Sequence, residues 1–117
     1  MKVKFYVLSM LLLASINSHS AEFKGGISTL ATGPNLGDFV YIKVENHSSS
    51  ASWSTGCATD NYWSFKFETS SPGGKEAYSL LLSAYASGKK VVIAGTGGCE
   101  GNIGDDIQNL GYTRFDF

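Results

Sequence analysis

Phe39-Val40-Tyr41-Ile42-Lys43-Val44-Glu45 alternates with a period of two, sending Val40, Ile42 and Val44 to one side and Phe39, Tyr41, Lys43 and Glu45 to the other. That spacing predicts a strand with one buried face, central in a sheet. Tyr62-Trp63-Ser64-Phe65-Lys66-Phe67-Glu68 repeats the pattern, with Trp63, Phe65 and Phe67 predicted inward and Ser64, Lys66 and Glu68 outward. The two segments predict a hairpin with a long connection. That connection, Asn46 to Asn61, is rich in Ser and Thr and carries Trp53 and Cys57. Loops of this length without regular structure are uncommon and often functional or disordered, and the cysteine predicts that the second half is tied down.

Past Glu68 the period becomes helical. Ser70-Ser71-Pro72 offers an N-cap hydroxyl and a proline whose missing amide hydrogen costs nothing in a first turn. Ala77, Leu81, Ala84, Tyr85 and Gly88 then recur at three- and four-residue spacing, widened by Tyr78, Leu80 and Leu82, which predicts a substantially buried helix. Ser87-Gly88-Lys89-Lys90 ends it, with a glycine free to turn left-handed and two cations near the negative end of the dipole. Val91-Val92-Ile93-Ala94 follows as a strand covered on both faces or closed in a barrel. Asn109 to Phe117 reads as a last strand with its end docked, and Gly26 to Ala31 as a first one, closed by the turn Gly33-Pro34-Asn35-Leu36-Gly37. The fold class is therefore mainly β with one helix, in the order β-β-β-α-β-β. That order suits a small OB-like five-stranded Greek-key barrel whose helix covers one opening.

The chain's beginning supplies an address. Met1-Lys2-Val3-Lys4 puts two cations ahead of the apolar run Phe5 to Ala14, and the small residues Ser18 and Ser20 fit the cleft of a signal peptidase. A basic start, about ten apolar residues and a small-residue exit make a signal peptide over 1-20, too short to span a bilayer. The expectation is a secreted or periplasmic protein cut after Ser20, leaving one domain over 21-117. Seven of the nine Lys+Arg and all ten Asp+Glu remain in that part, a net charge of −3 with the cations spread along the chain. Nucleic-acid binding needs a concentrated positive face, so no nucleic acid is expected as a partner. No second apolar stretch approaches membrane-spanning length, so no membrane span is expected.

Both cysteines, Cys57 and Cys99, lie in the mature part, and an oxidising compartment predicts a disulfide between them. A metal site would need more ligands than two distant thiols and His47, the one mature histidine. Gly95-Thr96-Gly97-Gly98-Cys99-Glu100-Gly101 lacks the Lys-Ser/Thr of a phosphate loop and reads as a flexible turn around the disulfide. Asp105-Asp106 near Glu100 lacks the ligand spacing of a calcium loop and reads as solvated. His47 has no Gly-x-Ser-x-Gly partner, so no catalytic residue, metal or cofactor is expected and the protein is read as no enzyme. Trp53, set among hydroxyls without an alternating pattern, has two readings: a stacking platform for a sugar or protein ligand, or a plug folded back over the barrel.

Phe23-Lys24-Gly25-Gly26-Ile27, Thr32-Gly33, Phe39-Val40-Tyr41-Ile42, Thr55-Gly56-Cys57 and above all the run from Tyr78 to Ile93 match one family at the level of pattern. On these segments the chain resembles the binding (B) subunits of AB5 toxins, the subtilase-cytotoxin and pertussis-like group. The resemblance implies a non-enzymatic domain that recognises a glycan or cell-surface glycoprotein, and a homo-oligomer, a pentamer where the likeness extends to assembly. Two departures bear on it. The family's second-strand cysteine is replaced here by Tyr41, and a serine that contacts sialic acid is replaced by Lys24, so glycan specificity does not carry over. Lys24 and Trp53 are the candidate ligand-binding residues. The alternative is a periplasmic or secreted accessory or inhibitor protein that binds another protein without sugar affinity.

Overall fold

The computed structural model describes residues 21–101 and 104–116. The signal-peptide reading of residues 1–20 and the docking of Phe117 fall outside the described residues. Strands β1 (Phe23–Gly25), β2 (Ile27–Ala31), β3 (Phe39–Val44) and β4 (Phe65–Glu68) precede helix α1 (Gly74–Ser87), and β5 (Val91–Gly95) and β6 (Gln108–Phe115) follow it. Among the described residues the chain is mainly β with one α-helix, and six strands form one curled sheet in the order β1-β5-β6-β4-β3-β2. Five strands are expected from the sequence and six are present among the described residues, because Phe23–Gly25 pairs separately with β5 while Ile27–Ala31 pairs with β3. The two ends of the sheet order are thus consecutive in the chain, joined through Gly26.

Gly26 has a reason to be glycine. Its amide donates to the Glu45 carboxylate at 3.3 Å and its carbonyl accepts from the Glu45 amide at 3.0 Å. A β-carbon there would stand 2.6 Å from that carboxyl group, closer than real contacts allow.

The alternation at Phe39–Val44 places Val40, Ile42 and Val44 in the main core with Phe65, Phe67, Leu81, Val91 and Ile93. β3 lies between β2 and β4, and pairs antiparallel with β4 from Phe39↔Glu68 to Ile42↔Phe65. All five residues of β5 are buried, as an apolar run without alternation requires.

Three expectations are corrected. Lys66, predicted outward, is 0% exposed, because the outer face of β3 and β4 carries a second apolar cluster of Phe39, Tyr41 and Ile107 under the β5–β6 loop. Ser64, also predicted outward, is 1% exposed because its hydroxyl is held by His47 and the Val44 amide. Trp63, predicted inward, packs on that outer cluster against Tyr41. The helix is less buried than its composition suggests. Leu81 and Ala84 are fully covered, whereas Leu82 and Tyr85, one 100° step round from each, are 45% and 50% exposed.

The helix begins at Gly73 in a left-handed conformation rather than at a serine cap, since the Ser71 hydroxyl donates instead to the Glu68 carbonyl at 2.6 Å. Its far end is as expected: Gly88, at φ 70°, donates its amide to the Ala84 carbonyl. Among the described residues no helix is long and apolar enough to cross a membrane.

Candidate functional site

Two loop regions, residues 45–64 and the described residues 96–101 and 104–107, are joined by the Cys57–Cys99 disulfide. Gln108, fully buried at the start of β6, joins them again. Its Nε2 donates to the Trp53 carbonyl at 3.1 Å, and its Oε1 accepts from the Gly97 amide at 3.1 Å. A third link is the Asp60 amide donating to the Asp106 carbonyl at 3.2 Å. The loops behave as one unit because each bond is made to backbone or closed covalently.

Trp53 belongs to that unit's interior. Its ring is 8% exposed, with Phe65 at 5.2 Å and Phe23 at 5.9 Å between centroids. Of its two readings the plug is the one the structure realises, and the ring presents no open face for stacking. His47 sits against it at 5.9 Å. The Asp60 carbonyl can only accept, so Nε2 of His47 carries the proton and donates to it at 3.0 Å. Nδ1 then accepts from the Ser64 hydroxyl at 2.7 Å, and the Ser64 oxygen accepts from the Val44 amide at 3.1 Å. This chain of bonds occupies the serine's hydroxyl in a buried position and ties the loop to β3.

Lys66 is the second residue whose role the sequence hid. From the outer face of β4 its ammonium donates to the carbonyls of Cys99 at 2.8 Å and Gly104 at 2.5 Å. Burial lowers its pKa from the ordinary lysine range, and Asp105, Glu100 and Asp106 act in the opposite direction. The recorded partners of this internal cation are the two backbone carbonyls. Among the described residues, no three His, Cys, Asp or Glu side chains are grouped to hold a metal ion.

Lys24 is exposed on β1, in register with Val92, whose partner on the other side is Arg114. Neighbouring strands alternate sides together, so Lys24 and Arg114 flank Val92 on the outer face of the sheet. Tyr112, one outward position along β6 from Arg114, is 45% exposed and donates its hydroxyl to the Glu22 carboxylate. Tyr112 also borders the seam of the sheet. β4 and β6 pair in parallel only at Phe65↔Gln108 and Lys66↔Asn109 and then diverge, leaving the first turns of α1 across the opening. The result is a groove of about 330 Å³, in which Phe67, Leu80 and Leu110 supply apolar surface and Ser71, Glu76 and Tyr112 supply polar atoms.

An exposed aromatic ring, a carboxylate, a hydroxyl and an apolar floor are what recognition of a small polyhydroxylated ligand uses: stacking on one face and hydrogen bonds at the edges. Lys24, singled out from the sequence, does not line this groove, whereas Tyr112, not singled out, does. The signal available was the alternation of Tyr112 and Arg114 against Thr113 and Phe115. No family model, curated protein or solved structure matches this chain.

Proposed function

We propose that the chain is a secreted or periplasmic, non-enzymatic binding domain of OB-like build that recognises a glycan or cell-surface glycoprotein. The observation that carries this reading is the seam groove with Tyr112 at its rim and Lys24 and Arg114 on the adjoining face. The pairing pattern supports the OB-like part. If β1 and β2 are counted as one strand bent at Gly26, five strands remain and each has two paired neighbours, with α1 against β2 and β6. The disulfide between two loop residues fits a protein working in an oxidising space. The likeness to AB5 toxin binding subunits belongs to this proposal, as does a homo-oligomer.

A glycan array probed with the chain starting at Ala21, alongside its Tyr112→Ala and Lys24→Gln variants, tests the reading. Binding to a defined sugar class that Tyr112→Ala abolishes supports it; silence of the folded protein across neutral and acidic sugars overturns it. Sedimentation at high micromolar concentration tests assembly, and a clean monomer removes the ring.

A second reading has its own observation. From Tyr78 to Gly88 the helix carries no charged residue, and Leu82 and Tyr85 are half-exposed on it. Such a face fits a protein partner better than a sugar. Loss of that partner in Leu82→Glu, with sugar arrays blank, selects the accessory or inhibitor function.

A further inference from the structure

The ring of Tyr62 already holds an ammonium. Lys43 Nζ lies 3.9 Å from its centroid, inside the range at which a cation is drawn to the negative face of an aromatic ring. Tyr62 is 46% exposed and yet firmly placed. Its amide and that of Trp63 both donate to Asp60 Oδ1, at 2.8 and 2.6 Å, which pins the turn before β4. Trp63 packs on it at 4.8 Å with ring planes 80° apart, and Tyr41 packs on Trp63 at 5.5 Å. The cation is thus seated on one ring, Tyr62, which Trp63 and the Asp60 turn hold in place, and none of these residues lines the seam groove.

We propose that Tyr62, supported by Trp63 and Asp60, is a binding site for a quaternary ammonium group, with Lys43 as the internal occupant that such a ligand displaces. The class of ligand follows from competition. A primary ammonium on a ligand offers the ring nothing that tethered Lys43 does not, and the tether gives Lys43 a high effective concentration. A quaternary ammonium carries no N–H groups to leave unsatisfied and spreads its charge over methyl groups that touch the ring, so it gains more from the aromatic face than lysine does. Binding then swings the Lys43 ammonium into solvent, where a lysine is readily accommodated. This site is separate from the seam groove and does not depend on the glycan reading.

The test is a calorimetric or NMR titration of the folded chain from Ala21 to Phe117 with choline chloride, with sodium chloride at equal ionic strength as reference. Lys43→Gln removes the competitor and is expected to tighten choline binding by about two- to fivefold, the range an exposed cation–ring contact corresponds to. Tyr62→Leu is expected to abolish it in either background, while Tyr112→Ala leaves it unchanged. Phosphatidylcholine vesicles and a trimethyl-lysine peptide, run as further arms, tell a lipid headgroup from a modified protein as the source. The proposal is overturned if Lys43→Gln binds choline no better than the parent, or if Tyr62→Leu, shown to be folded by its near-ultraviolet dichroism, still binds it.

Discussion

The ammonium of Lys66 donates to the carbonyl of Cys99 at 2.8 Å, so a strand residue with no exposed surface holds the loop that carries one end of the disulfide. Hydrogen bonds from a charged donor contribute about 1.5–3 kcal/mol each, and removing the donor leaves buried carbonyls without a partner. Lys66→Ala, which also opens a cavity, is expected to lower stability by about 3–5 kcal/mol. Lys66→Met keeps the stem, deletes the buried charge and is expected to cost less. Urea denaturation of the oxidised protein checks both, and a Lys66→Met variant of parental stability would remove the assigned role of the ammonium.

The alkaline limb of stability follows from two groups that shift in opposite senses. Burial lowers the pKa of Lys66 from 10.5, so below 10.5 the unfolded chain holds a proton that the folded chain gives up sooner. Stability therefore rises with pH across the window just under 10.5. Tyr41 is raised from 10.0 by burial first and then by Asp106 and Asp60, so the unfolded chain loses its phenolic proton sooner. Stability falls as pH climbs above 10.0. Denaturation midpoints measured from pH 8 upward are expected to rise and then fall. Lys66→Met should flatten the rise and Tyr41→Phe the fall.

Trp53 is a core residue, and its removal should read as a folding defect. Trp53→Ala is expected to cost about 3–5 kcal/mol, the range for an emptied aromatic site. Trp53→Phe should recover part of that through contacts with Phe23 and Phe65. Thermal denaturation gives the loss directly. A Trp53→Ala variant of parental stability would return the ring to the surface.

Lys66, Trp53 and Tyr112 mark the boundary of what the sequence discloses. The strand at Phe39–Val44 was legible because its apolar side chains repeat every second residue, and burial of one face needs nothing more. Gly88 was legible because a left-handed turn after a helix selects glycine. Lys66 was not, because its cover comes from Cys99 and Gly104, more than thirty residues further on, and nothing local in Phe65-Lys66-Phe67 records it. Trp53 sits in a segment with no period at all, and its burial rests on distant partners: Phe23 and Phe65 against its ring and Gln108 bonded to its carbonyl. Tyr112 follows the alternation of β6, but the groove beside it exists only because β4 and β6 diverge after two pairs.

The last expectation concerns the disulfide, and it separates a chain-entropy effect from a local one. Cys57 and Cys99 close a loop of 42 residues, for which the entropy of the cross-linked unfolded chain corresponds to about 4 kcal/mol. If that is the whole effect, the double variant Cys57→Ser/Cys99→Ser loses this much global stability and keeps its native loops. The Gln108, Lys66 and Asp60–Asp106 links do not need the sulfur bond. Amide exchange at Gly97 and Asp60 is the discriminating measurement. Protection reduced only in step with the global loss is expected. If those two amides exchange freely while β3 and β5 stay protected, the disulfide itself, and not the hydrogen bonds around it, is what holds the two loops together.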